Sequence, residues 1–225
     1  MKPEIIETQH LAKDALSLVL RSAHDAVATR GEFRIALSGG NTPKPLYEAM
    51  AGVSLPWDQM LVTFGDERCV PPDNPESNYH MVKEALFDRS PLTDEHILRM
   101  KGEMDPDAAA HEYAKELHER SPYEIFRHDL LLLGMGPDGH TASLFPGTPV
   151  LDETSRLVAP NYVEEKKMWR VTFTYPLINA ARHVCFVVSR KGKEKVLDEV
   201  LAGSKEYPCA HVEPTNGKLT WLIGE

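Results

Sequence analysis

Residues 129–140 read Asp-Leu-Leu-Leu-Leu-Gly-Met-Gly-Pro-Asp-Gly-His. Four consecutive leucines without a polar break suit a strand covered on both faces, as in the middle of a parallel sheet. The glycines and Pro137 that follow cannot continue the strand. They form instead a turn carrying an acid (Asp138) two residues before a histidine (His140). A buried strand that ends in a loop of functional side chains is the signature of an α/β sheet, where ligands bind beyond the carboxyl ends of the strands.

Two earlier segments repeat that grammar. Phe33–Leu37 is a short apolar run ending in Ser38-Gly39-Gly40-Asn41-Thr42-Pro43, and Pro43 suits the first turn of a helix running to about Met50. Met60–Phe64 is a second run, ended by Gly65-Asp66-Glu67-Arg68. Between and beyond them, helical spacing predicts helices over Thr8–Thr29, closed by Gly31, over Asn78–Phe87 capped by Ser77, over Asp107–Glu119 and over Lys193–Leu201. Further strands are expected at His96–Leu98, Val171–Phe173, Val184–Val188 and Leu219–Ile223. Alternation of this kind, with no repeat or linker, predicts one α/β domain over residues 1–225. Its architecture is a Rossmann-like three-layer α/β/α arrangement around a mainly parallel sheet. Right-handed crossovers bring the loops after the strands to one edge.

The 225 residues are 42% hydrophobic and 26% charged, a balance that excludes a disordered or fibrous chain. No apolar stretch approaches the roughly 18–20 residues that span a bilayer, and MKPEIIETQH lacks a secretory core. Three cysteines with no CxxC spacing predict neither a disulfide framework nor a zinc site, and point to a reducing cytoplasm. The net charge of −9 argues against a general nucleic-acid binder. That charge is uneven. Residues 166–195 hold Lys166, Lys167, Arg170, Arg182, Arg190, Lys191, Lys193 and Lys195 against one acid, Glu194, either a solvated surface or a gathering point for an anion.

The three strand-end segments carry the chemistry. Gly39 and Gly40 permit close backbone approach, the hydroxyls of Ser38 and Thr42 flank them, and a helix N-terminus follows, which together make an anion site or a plain connector. The segment matches neither a P-loop nor GxGxxG, so nucleotide binding is not indicated. Arg68 is suited to gripping a phosphate bidentately, or to a structural ion pair. His140 is the one of ten histidines in a glycine-rich strand-end loop, suited to general base catalysis, with Asp138 placed to orient it. Cys69 reads as a packing residue, and the absence of GxSxG excludes a serine-hydrolase elbow. His140, Asp138 and Asp66 lack any recognised metal-ligand spacing.

LSGGNTPKPLYEAM (37–50), FGDERCVPPDNPESNY (64–79), LLLGMGPDGHTASLFPG (131–147) and KGKEKVL (191–197) resemble, in the same order, the 6-phosphogluconolactonase family. DGHTASLFP together with GDER is the specific part. The related sugar-phosphate deaminases resemble DGHIAFNEP, with a glutamate five positions after the histidine. Phe145 stands there in this chain, and Arg68 stands where they carry a tyrosine. The resemblance therefore implies hydrolysis of 6-phospho-D-glucono-1,5-lactone, with no metal or cofactor, rather than aldose–ketose chemistry or a non-catalytic sugar-phosphate sensor, for which no helix-turn-helix segment is evident.

What the resemblance implies for the residues is this. His140 activates water, and Asp138 and Asp66 orient it or bind sugar hydroxyls, roles the sequence does not divide. Amides around Gly136–Gly139 meet the developing oxyanion. Ser38, Gly39, Gly40, Thr42, Arg68, Lys193 and Arg170 hold the phosphate, with Lys191 the alternative to Lys193. A small-molecule lactone is the only partner implied, with no nucleic acid and no membrane, and the compact length suggests a stand-alone monomer.

Overall fold

The computed structural model describes residues 2–121 and 124–225. Six parallel strands form the main sheet in the order β1-β9-β8-β5-β2-β3: β1 (Glu4–Thr8), β2 (Phe33–Leu37), β3 (Met60–Phe64), β5 (Leu130–Leu133), β8 (His183–Ser189) and β9 (Lys218–Gly224). A second, antiparallel sheet has the order β4-β7-β6, from β4 (Asp66–Arg68), β6 (Val158–Val163) and β7 (Met168–Phe173).

The four leucines behave as their pattern predicts. Leu130 and Leu132 pack into the core under α1 (Leu11–Arg30), α2 (Lys44–Ala51) and α3 (Asn78–Ala85). Leu131 and Leu133 face the other core, with α4 (Pro106–Glu119), α5 (Tyr175–Ala180), α6 (Glu194–Leu201) and the inner face of the small sheet. All four are fully buried, each contributing about 1.5–3 kcal/mol of burial. Three layers result. The first layer's helices keep Ala15, Val19, Ala23 and Ala26 of α1 inward, and Gly31 ends that helix in the left-handed conformation.

Four expectations need correction. The chain does not enter a helix at Thr8: residues Glu4–Thr8 are strand β1, paired in parallel with β9 from Glu4↔Thr220 to Thr8↔Gly224, and the helix starts at Leu11. A strand with exposed Ile5 and Ile6 has no local mark of that pairing. His96–Leu98 contributes only an isolated bridge between Ile97 and Val62. Val171–Phe173 belongs to the antiparallel sheet, and Asp66–Arg68 is not a loop but that sheet's strand β4. No helix among the described residues is long and apolar enough to cross a membrane.

The order of strands places the site. From β2 the chain moves outward to β3, and from β5 it moves the other way through β8 to β9. The loops after β2 and β5 thus diverge, opening a crevice at the switch point.

Candidate active site

That crevice is a cavity of about 320 Å³, lined by the 38–43 turn, Asp66, Arg68, Asn78, the 134–145 loop, Lys166, Arg170 and Lys193. At one wall, the N–H groups of Gly39 to Thr42 donate to no other group among the described residues, since the helical hydrogen bonds begin beyond them. The turn is drawn tightly over α3: a Cβ on Gly39 would fall 1.8 Å from Asn78 Oδ1, so only glycine fits there. Below it, Tyr47 holds the Ser38 backbone on both sides, its hydroxyl accepting from Ser38 N–H at 3.0 Å and donating to Ser38 C=O at 2.7 Å.

The second wall comes from the small sheet. Arg68 on β4 and Arg170 on β7 are direct cross-strand partners. Like charges facing each other across two strands are destabilising unless an anion is to be bound between them. Arg68 Nη1 donates to Glu76 C=O at 2.5 Å, but the Nε atoms of Arg68 and Arg170 are both buried without a partner among the described residues. Arg170 is 9% exposed, and burial lowers its pKa, with the Asp66 charge opposing that and Arg68 reinforcing it. Lys193, the residue preceding α6, has its pKa lowered by burial. Neither these three cations nor Lys166 forms an ion pair among the described residues. Arg190 pairs instead with Glu7 and Asp198, away from the cavity, and Lys191 is exposed outside it, so the structure brings Lys193 to the site.

Opposite stands His140. A Cβ on Gly136 would lie 2.1 Å from His140 Nδ1, so the missing side chain is the space the imidazole occupies. His140 Nδ1 lies 2.6 Å from Asp138 Oδ1, and the ring stacks on Phe145 with centroids 4.0 Å apart. A carboxylate only accepts, so in the neutral ring Nδ1 carries the proton, and Nε2, which has no partner among the described residues, carries the lone pair. Burial pushes the Asp138 carboxyl up, but its hydrogen bond and charge contact with His140 leave it below the usual carboxylate range. A histidine so arranged can take a proton from a water in the cavity.

A family model described as "Glucosamine-6-phosphate isomerases/6-phosphogluconolactonase" matches residues 6–221. The chain belongs to that family. It is 41% identical to a 6-phosphogluconolactonase from Synechocystis, covering 100% of this chain and 97% of the relative. It is 37% identical to one from Homo sapiens, over 97% of this chain and 88% of that one. The crystal structure of 6-phosphogluconolactonase from Thermotoga maritima superposes with a TM-score of 0.90 at 27% identity, covering 100% of both chains.

Within this 6-phosphogluconolactonase-type site, nine of the ten residues expected from sequence line one cavity; the tenth, Asp138, stands behind His140. The two acids occupy different positions. Asp138 is bonded to His140, whereas Asp66 Oδ2 accepts from Ser143 Oγ at 2.6 Å and Asp66 Oδ1 from Asn78 Nδ2 at 3.2 Å. The expectation for the loop amides is narrowed. Gly136 N–H donates to His140 C=O, Gly139 N–H to Gly136 C=O and His140 N–H to Asp138 Oδ1, which leaves Asp138 N–H as the amide of this stretch without an acceptor among the described residues. Sequence reasoning missed Asn78, Ser143 and Lys166 as parts of the site. Lys166 was visible only in the basic run, and Asn78 only as the residue after a helix cap. Cys69 is pushed up to about 11 by burial and by Glu67, which fits packing rather than nucleophilic chemistry. Among the described residues no group of three or more His, Cys, Asp or Glu side chains is arranged to hold a metal ion.

Proposed function

We propose that the protein hydrolyses 6-phospho-D-glucono-1,5-lactone to 6-phospho-D-gluconate by metal-independent general base catalysis. The observation that carries the reading is one cavity with a hydrogen-bonded Asp138–His140 pair on one side and, on the other, three cations without an ion pair and turn amides without an acceptor among the described residues. Family membership and the lactonases among its relatives name the substrate. The phosphate is the handle, held by Gly39–Thr42, Ser38, Arg68, Arg170 and Lys193. C1 of the lactone then lies toward His140.

His140 Nε2 takes a proton from water as its oxygen attacks C1. Asp138 keeps the Nδ1–H tautomer and stabilises the imidazolium. The tetrahedral anion collapses with cleavage of the bond from C1 to the ring oxygen, and Nε2–H returns the proton to that oxygen. The product is a hydroxy acid that ionises in water. A positioned base supplies about 10²–10⁴-fold, adequate for an ester that already hydrolyses unaided. Phe145 covers the imidazole with an apolar ring, which offers no proton to a sugar-ring oxygen and disfavours deaminase chemistry. We read residues 1–225 as one domain working as a cytoplasmic monomer.

The test generates the lactone in place with glucose-6-phosphate dehydrogenase and follows acid release with and without the protein. Faster decay than the spontaneous rate is expected, together with no ammonia from glucosamine 6-phosphate. His140→Asn should lower turnover at least about a hundredfold while retaining affinity for 6-phosphogluconate. An unchanged lactone decay would overturn the function, and near-normal turnover in the variant would remove His140 as the base.

A further inference from the structure

Ser143 lies three residues after His140 and two before Phe145, in the loop that carries both. It is wholly buried, and each strand of the small sheet grips one of its polar groups. Its hydroxyl donates to Asp66 Oδ2 of β4 at 2.6 Å, its N–H donates to Thr172 Oγ1 of β7 at 3.1 Å, and its C=O accepts from Asn161 Nδ2 of β6 at 2.9 Å. The residue just before it, Ala142, lines the cavity in the left-handed conformation with φ of +48°. An alanine pays about 1–2 kcal/mol for that conformation, so something must impose it.

From these contacts we infer that Ser143 is a positioning residue, the point at which the small sheet fixes the catalytic loop and hence the reach of His140 and the seat of Phe145. Asp66 acts through Ser143 rather than on the reacting atoms. One oxygen of its carboxylate takes the Ser143 hydroxyl and the other takes the Asn78 amide, which also donates to the Asp66 carbonyl at 2.9 Å. Asn78 in turn lies against Gly39. A single buried acid therefore ties the loop of the base to the turn of the phosphate. The distance between those two halves is what a substrate with a fixed span between C1 and phosphate requires. The inference rests on His140 being the base, so its test includes a measurement that does not depend on turnover.

The experiment compares wild type with Ser143→Ala by steady-state kinetics and by the ¹⁵N imidazole spectrum of His140, after circular dichroism has shown that the variant folds. A misplacement of about 1 Å costs on the order of a hundredfold, so kcat should fall about tenfold to a hundredfold with KM within about twofold. The fall should be equal on phosphorylated and plain gluconolactone. The His140 signals, a single Nδ1–H tautomer in wild type, should shift or split. Adding Asp66→Asn to Ser143→Ala should cost little more in kcat than Ser143→Ala alone, because Asp66 reaches the loop of His140 through the Ser143 hydrogen bond and the asparagine's Oδ1 still accepts from Asn78. Thr172→Val, which removes the acceptor for the Ser143 N–H together with the hydroxyl's own bond to Phe173 C=O, should show the same pattern in weaker form and serves if Ser143→Ala does not fold. Unchanged kcat in a folded variant overturns the inference. So does a loss of kcat with His140 signals identical to wild type, or a full additional loss on removing Asp66. Loss of the parent reading looks different: His140→Asn would then be active while the tautomer shift in Ser143→Ala persists.

Discussion

The ring of Phe145 lies on the imidazole of His140, with centroids 4.0 Å apart and planes inclined by 17°. Asp138 holds the same imidazole by its edge, so the ring is fixed in two directions and can turn in neither. An aromatic pair of this kind is worth about 0.5–1.5 kcal/mol beyond its buried area.

Phe145→Leu keeps most of the apolar volume and loses the stacking. The expected result is a fall in kcat of about twofold to tenfold with KM little changed. Phe145→Ala leaves a cavity as well and should lower stability by about 3–5 kcal/mol, measured by urea unfolding.

Gly136 and Gly134 offer a paired test. A Cβ on Gly136 would collide with His140 Nδ1 at 2.1 Å and with Asp138 Oδ1 at 2.6 Å, while one on Gly134 meets nothing within 4 Å. Gly136→Ala should therefore reduce kcat at least about a hundredfold by pushing the imidazole aside. Gly134→Ala, one turn earlier in the same loop, should stay within about threefold of wild type. Equal effects would mean that the ring does not depend on the space over Gly136.

Arg68 faces Arg170 across β4 and β7, and neither forms an ion pair with a carboxylate among the described residues. Removing a charge-assisted contact costs about 1.5–3 kcal/mol, so Arg68→Ala should raise KM for the phosphorylated lactone roughly tenfold to a hundredfold. Lys193→Ala should do the same. Neither should alter hydrolysis of plain gluconolactone, and an equal loss on both substrates would place the side chain at C1 instead.

His128 sets a pH dependence of stability far from the site. It is fully buried between Phe126 and Phe173, with Nε2 2.9 Å from Thr63 Oγ1. Burial first, and the Arg34 charge second, push its pKa down to about 3 from 6.5. In the window from about 6.5 to 3 the unfolded chain binds a proton at this residue that the folded chain refuses. Stability is full above that window and falls as pH drops through it, at up to about 1.4 kcal/mol per unit. Urea unfolding free energies measured from pH 7.5 to 5.5 should decline in wild type, and His128→Leu should flatten the decline.

The run Leu130–Leu133 and the alternation around it are local patterns, and they were sufficient for the α/β class, the parallel core and the loops after β2 and β5. Cα–Cβ vectors alternate along any strand, so four leucines in a row must cover two faces wherever the strand lies. Gly39 and His140 were legible for a related reason: their chemistry depends on residue type within one turn. Other features have no local signal. Strand β1 is defined only by its pairing with β9 at the other end of the chain, and β4 only by its antiparallel match to β7. That match is what sets Arg68 opposite Arg170 and brings Asp66 and Thr172 to Ser143, where Asp66 ties Ser143 to Asn78. The sequence by itself determined which residues are available to bind a phosphate and move a proton. Tertiary structure decided their partners, because hydrogen bonds and like-charge contacts between distant segments depend on strand register, and register is a property of the assembled sheets.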